Sequence, residues 1–358
     1  MNRPNHGGNL AWAASIAGCP GSLITDFSAS INPLGPPSSA IAAIQQGLTQ
    51  LSAYPDPSYF QLRSALAQWH QLTPDWILPG NGSAELLTWA GWELSQKDVT
   101  YLVTPAFGDY WRALKTFSAK IQAWQLDLES GEGEIDSRFS SLTPYSAAGL
   151  LLNNPHNPTG KLFLREQLMS YLERFSLVVI DEAFMDFLPP EKQHSLIGAV
   201  QDYPNLVILR SLTKFYSLPG LRLGYAIAHP DRLRRWQQWR DPWPVNVLAA
   251  VAAEAVVRDT DFQKQTWDWL LPTRYKLYKG LSLLPGFHPL KGAANFLLVR
   301  TEGSSVELQE KLLKEHRLLV RDCLSFPELG DRYFRIAVRT HPENQRLLEG
   351  LTESVISN

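Results

Sequence analysis

Short and almost unbroken apolar runs recur along the first part of the chain, at Thr100–Val103, Gly149–Leu152, Leu177–Ile180, Leu206–Leu209 and Gly224–Ala228. Runs of this length without polar alternation predict strands covered on both faces, as in a mainly parallel sheet with helices above and below. Between and before them the apolar positions fall at helical spacing, predicting helices at Leu10–Ala17, Ser39–Leu48, Phe60–Trp69 and from Ser83 to about Leu94. Alternation of the two patterns is the mark of an α/β protein. The pattern changes at PWPVN (Pro242 to Asn246). Long helices then fill about Leu248 to Leu281, followed by a strand at Asn295–Val299, a helix at Val306–His316, strands at Leu318–Arg321 and Phe334–Val338, and a last helix from Pro342. The chain therefore reads as an N-terminal arm (1–30), a large domain (31–243) and a smaller α/β domain (244–358).

In open parallel sheets ligands collect beyond the carboxyl ends of the strands. Four successive strand ends here deliver the segments PAFGDY (Pro105 to Tyr110), NNPHNPTG (Asn153 to Gly160), DEAF (Asp181 to Phe184) and SLTK (Ser211 to Lys214). A lysine amine becomes useful at neutral pH through a lowered pKa or a covalent partner, and imine formation with pyridoxal 5'-phosphate (PLP) supplies the partner. Ser211 and Thr213 can donate to a phosphate, and Arg222 can grip it with its planar fork. GNGSAE (Gly80 to Glu85) opens a helix whose free N–H groups at Gly82, Ser83 and Ala84 form a second half of an anion site. Asp181 can keep a pyridine nitrogen protonated, Asn157 can bond a phenolic oxygen, and Tyr110 can stack on a ring. Singly, a strand-end cap, an Asn-Pro turn and a core tyrosine are the simpler readings; jointly they give each functional group of PLP a partner. Three features stay open: the paired glycines of HGGN (His6 to Asn9) suit close approach to a ligand or a flexible arm, Asn32 caps a turn or faces a site, and Tyr54 before two prolines is presented outward or simply packs.

Composition narrows the class. A formal charge of -2 over 358 residues gives no electrostatic case for nucleic acid or an anionic membrane as partner. No apolar run reaches the roughly 18 residues a membrane helix needs. Cys19 and Cys323 form neither a disulfide framework nor a metal-ligand spacing, which suits a reducing cytoplasm. The Ile16-to-Cys19 stretch is similar to a lipoprotein cleavage box, yet it follows only Arg3 as a positive charge and no leucine-rich core, so a helix is the better reading.

The series GNGSAE, NNPHNPTG, DEAF, SLTKFYSLPGLRLGY and FRIAVRT, in this order and spacing, resembles the fold type I PLP enzymes of the aspartate aminotransferase superfamily over nearly the whole chain. Within it the chain is most similar to the histidinol-phosphate aminotransferase branch, and there to the threonine-phosphate decarboxylases of cobalamin biosynthesis. HGGN, DFSASINPLGPP, PWPVN, Phe184 in place of a usual tyrosine, and Arg339 in place of a usual glycine carry that last step. The resemblance implies decarboxylation of L-threonine O-3-phosphate to (R)-1-amino-2-propanol O-2-phosphate and carbon dioxide. A histidinol-phosphate or related aminotransferase is the alternative, and a non-catalytic binding protein of the same fold is disfavoured by Lys214, Asp181 and Asn157 together. It further implies that Arg335 binds the substrate carboxylate with Arg339 as a second contact, that His6, Asn32 and Arg321 hold the substrate phosphate, and that the enzyme is a homodimer in which Tyr54 reaches the partner's cofactor phosphate. Even spacing of Arg335 and Arg339 along one strand would turn both to the same side.

Overall fold

The apolar runs become the inner strands of a seven-stranded sheet in the computed structural model, which describes residues 3–128 and 145–356. Its spatial order is Ile77–Asn81, Leu223–Ala228, Leu206–Ser211, Phe175–Asp181, Tyr145–Asn153, Val99–Thr104 and Ile121–Gln125. Alternate residues pack on opposite faces: Val178, Ile180 and Ile208 join one core, and Leu177, Val179, Val207 and Leu209 join the other. That double burial explains the absence of polar alternation in the sequence. Leu223–Ala228 alone runs opposite to the other six strands, so it begins at the rim where they end. Two strands escape the apolar pattern. Ile77–Asn81 contains Pro79 and Gly80 and reads as a turn, while the edge strand Ile121–Gln125 leaves Gln122, Ala123 and Gln125 exposed.

The second sheet is antiparallel, in the order Arg321–Asp322, Tyr333–Ala337, Phe296–Thr301 and Phe287–Pro289. The expected strand Leu318–Arg321 divides: Leu318–Leu319 pairs in parallel with Thr25–Asp26, and Arg321–Asp322 joins the second sheet. The N-terminal segment is thereby fastened to the C-terminal unit. The long helical stretch is two helices, Val247–Val256 and Thr260–Ser282, the second capped by the Asp259 carboxylate, which accepts from Phe262 N at 3.0 Å. Helix Leu10–Ala17 forms as expected, and the last helix spans His341–Ile356. Among the described residues no helix is long and apolar enough to cross a membrane.

Candidate active site

A cavity of about 320 Å³ opens at the carboxyl rim of the seven-stranded sheet, lined by residues from the N-terminal arm, both sheets and the loops between them. Its floor is an anion cradle. Gly82 has φ 75 and ψ 161, a backbone state that in practice only glycine occupies, and helix Ser83–Ser95 starts there without any side-chain cap. The first N–H groups of a 13-residue helix are therefore free for a ligand. A Cβ on Gly82 would stand 2.7 Å from Arg222 Nη2, so the guanidinium lies directly over the turn. A Cβ on Gly224 would strike Ser83 N and lie 2.7 Å from Arg210 O, which ties the helix start to the sheet. Ser211 ends its strand and caps the short turn Leu212–Phe215, and its Oγ lies 2.7 Å from Thr213 Oγ1. Hydroxyls, helix N–H groups and one guanidinium thus meet around one space.

The same short turn carries Lys214 into the cavity. Burial, then the charges of Arg335 and Arg222, lower its pKa to about 8. Asp181 ends the neighbouring strand. Burial raises its pKa to about 6, against the pull of hydrogen bonds from Tyr110 Oη at 2.8 Å and Ala183 N at 3.0 Å. A carboxylate destabilised by burial gains from an adjacent cation, and a protonated ring nitrogen would supply one. Asn157 accepts from Arg335 Nη1 through Oδ1, leaving its amide N–H₂ as donor. Tyr110 is buried against Phe107, ring centroids 5.7 Å apart, with its phenol turned to Asp181. The donor set fits PLP: a cradle for the phosphate, a carboxylate for the ring nitrogen, an amide for the phenolic oxygen and an amine for the aldehyde.

At the other end the expectations fare unevenly. Arg335 lines the cavity, donating to Asn157 and to Ser28 O at 3.1 Å, with its guanidinium 4.9 Å from the centre of the Phe296 ring. Burial and Arg321 lower its pKa to about 10. His6 also lines the cavity, 5.4 Å from the Phe107 ring, and burial followed by Arg321 keeps its pKa down. Arg321 sits behind His6, where its guanidinium donates to Pro4 O, Asn5 O and Ser325 Oγ. Asn32 stands outside the cavity: its amide donates to Phe215 O and Thr266 Oγ1 at 2.9 Å each and accepts from Leu34 N, so every polar position is used in bracing. Arg339 is likewise elsewhere. Its strand stops at Ala337, the even-spacing argument lapses beyond that point, and the guanidinium bonds Asp26 O and Glu343. Tyr54 is 79% exposed, stacked on Trp243 at 4.4 Å, away from its own chain's cavity.

Cavity residues not singled out in the sequence include Ser28, Ser30, Phe107, Asp109 and Asn153. Phe107 and Asp109 lie in PAFGDY and Asn153 starts NNPHNPTG, so position after a strand was signal enough. Ser28 lies in DFSASINPLGPP, a segment noted for its resemblance but not placed at a strand end. Beneath Asp181 lies a buried charge cluster in which Arg210 bonds Glu182 Oε2 at 2.9 Å and also Asp186.

Comparison with known proteins gives a consistent family of likenesses. Residues 23–351 match the family described as aminotransferase class I and II. The chain is 41% identical to a threonine-phosphate decarboxylase of Salmonella typhimurium over 97% of this chain and 95% of that one. It is 29% identical, over 98% of its length, to 41% of an adenosylcobalamin biosynthesis bifunctional protein, CobDQ, of Leptospira interrogans. Among solved structures, a histidinol-phosphate aminotransferase from Clostridium acetobutylicum superposes with a TM-score of 0.85 at 27% identity, covering 93% of this chain and 99% of that one.

Proposed function

We propose, from the premise that the chain belongs to the class I and II aminotransferase family, that it is a PLP-dependent decarboxylase acting on L-threonine O-3-phosphate in cobalamin biosynthesis. The products are (R)-1-amino-2-propanol O-2-phosphate and carbon dioxide. One observation carries the reading: a cavity fitted for PLP in a chain 41% identical, end to end, to a threonine-phosphate decarboxylase. The likeness to the CobDQ protein supports the pathway.

PLP, when bound, supplies an electron-accepting ring for whichever Cα bond of the substrate stands perpendicular to it. Gly82, Ser83, Ala84, Ser211, Thr213 and Arg222 would hold its phosphate, Asp181 its ring nitrogen, Asn157 its phenolic oxygen, and Tyr110 its face. The protein's task is then to choose the bond. Arg335 would grip the substrate carboxylate, and His6 with Arg321 the substrate phosphate, so two anchors fix the rotation about Cα and bring binding energy from atoms remote from the reacting bond. Lys214, with a pKa near 8, can hold and release a proton close to neutrality and would return one to Cα after carbon dioxide leaves. Phe184 lines the cavity with its ring packed on Phe296 at 5.0 Å and offers no hydroxyl there.

The reading extends to a homodimer in the cytoplasm, with domain limits near residues 31–243 and 244–358. Exposed Tyr54 and Trp243 support a partner surface, and the two free thiols suit a reducing compartment. A histidinol-phosphate aminotransferase is the second reading, favoured by the Clostridium structure. Incubation of the PLP-loaded protein with threonine phosphate, without any 2-oxo acid, separates the two. Multiple-turnover release of carbon dioxide is expected. No release, with turnover of histidinol phosphate that depends on a 2-oxo acid, would replace the decarboxylase by the aminotransferase.

A further inference from the structure

Two glycines far apart in sequence meet backbone to backbone beside the cavity. A Cβ built on Gly160 would stand 3.0 Å from Gly292 Cα, and one built on Gly292 would stand 3.1 Å from Gly160 Cα and 3.4 Å from its carbonyl carbon and oxygen. Ala293 N donates to Gly160 O at 2.7 Å, closing the contact. Neither side offers the end of a flexible side chain that could step aside.

The two loops carry different parts of the site. Gly160 ends NNPHNPTG, three residues after Asn157. Gly292 precedes strand Phe296–Thr301, whose Leu298 is the register partner of Arg335. Arg335 in turn donates to Asn157. The glycine contact and the Arg335–Asn157 bond are therefore two ties between the same pair of units.

Both loops are braced against local adjustment. On one side His156 N donates to Lys161 O at 2.7 Å, Gly160 N to His156 O at 2.6 Å, and Asn154 is bonded to both the N–H and the carbonyl of Phe163. On the other, Arg274 donates to the carbonyls of Ala293 and Ala294, and Asn295 Nδ2 donates to Ser30 O at 3.0 Å. A methyl group inserted between such loops moves the units relative to each other rather than being absorbed within either.

We propose that Gly160 and Gly292 form a bearing whose closeness sets the distance between Asn157 and Arg335. The two glycines are positioning residues for recognition of the substrate carboxylate. The inference rests on the reading of Arg335 as the carboxylate contact. Bulk at the bearing would lift Arg335 away from Asn157 and misplace a carboxylate held between them, while a ligand without a carboxylate would be unaffected.

Gly292→Ala is the first variant, because Gly292 does not have the positive φ of 75 found at Gly160, so the added methyl acts through bulk alone. Gly303→Ala, in the same unit with only the Thr301 hydroxyl 4.0 Å away, is the control. Three quantities are measured on PLP-loaded protein: KM for threonine phosphate, the inhibition constant of (R)-1-amino-2-propanol O-2-phosphate, and visible absorbance of the bound cofactor. Gly292→Ala is expected to raise KM about five- to tenfold, as a misplacement of a few tenths of an ångström would. The inhibition constant and absorbance should stay within twofold of wild type. Equal changes in KM and inhibition constant, or no change in either, would overturn the bearing. If Gly292→Ala does not fold, Ala293→Pro removes the N–H that donates to Gly160 and must move the same ratio of constants. Should wild type release no carbon dioxide, the functional reading fails by itself. Affinities of the two phosphates, followed through the cofactor absorbance, then still decide the bearing.

Discussion

Gly82→Ala is the sharpest test of the phosphate cradle. At φ 75 and ψ 161 an alanine costs on the order of 1–3 kcal/mol in backbone strain. Its Cβ would also stand 2.7 Å from Arg222 Nη2, so the guanidinium must withdraw and give up part of a charge-assisted bond of about 1.5–3 kcal/mol. The apo protein can shed some strain by letting the turn relax, but binding requires the turn to be rebuilt. A loss of roughly 2–4 kcal/mol in cofactor binding follows, or about 30- to 1,000-fold in Kd. Apo protein is titrated with PLP and followed by visible absorbance, with melting temperature recorded alongside. Gly220→Ala, in the same SLPGLR loop but with nothing within 4 Å of the added Cβ, serves as control and should bind as wild type. A Kd for Gly82→Ala within twofold of wild type would refute the cradle.

Three other outcomes are expected. The folded-state pKa of Asp181 is raised to about 6, so its contribution to apo stability is present at low pH and lost as pH rises from about 4 through 6. Asp181→Asn should therefore raise the apo melting temperature relative to wild type by more at pH 7.5 than at pH 4.5; an equal difference at both would contradict the buried carboxylate. Arg335→Leu should lower kcat/KM for threonine phosphate by roughly 10²-fold or more through loss of charge-assisted bonds. Arg339→Leu, which gives up a part-exposed bridge to Glu343 and a bond to Asp26 O, should cost roughly 1–3 kcal/mol of stability and leave kcat/KM unchanged. Mixing inactive Lys214→Ala with Tyr54→Ala should restore turnover if each site draws its lysine from one protomer and its tyrosine from the other, and mixtures no more active than their components would exclude a shared site.

Strand ends were legible because double burial leaves an unbroken apolar run, and because chemistry in an open sheet gathers where such runs stop. Lys214, Asp181, Asn157 and Tyr110 were singled out that way and Gly82 from a glycine-rich turn that opens a helix, and the cavity is lined by all of them. What failed was reasoning that needed a tertiary partner. Asn32 had a turn-capping reading and a ligand reading, and only the arrival of Phe215 and Thr266 from distant segments decides for bracing. Arg339 depended on a strand continuing two residues further than it does, while Asn344 instead accepts from the Arg339 backbone N–H. Ser28, within DFSASINPLGPP, was not singled out because Arg335 uses its carbonyl, and no side-chain pattern reports a carbonyl.

The electrostatics of the cavity explain why so many cations can wait in it. Lys214, Arg335 and Arg321 are all held below their ordinary pKa values, burial being the leading cause for each. Cations also count against one another, Arg335 acting on Lys214 and Arg321 acting on Arg335. Asp181, a carboxylate lining the same cavity, is raised to about 6, again chiefly by burial. Such a cluster of buried cations would gain from the two phosphates and the carboxylate of the proposed cofactor and substrate. The arm carbonyls of Pro4 and Asn5 already occupy the Arg321 guanidinium, which gives that cation neutral partners in place of an anion. On the proposed reading, a phosphorylated ligand would exchange weak neutral acceptors for charged ones, a gain made at the ends of the substrate rather than at Cα. On the proposed reading, cations that hold the two ends of the substrate would leave the reacting bond to be selected by rotation alone, with Lys214 kept close enough to neutrality to move its proton.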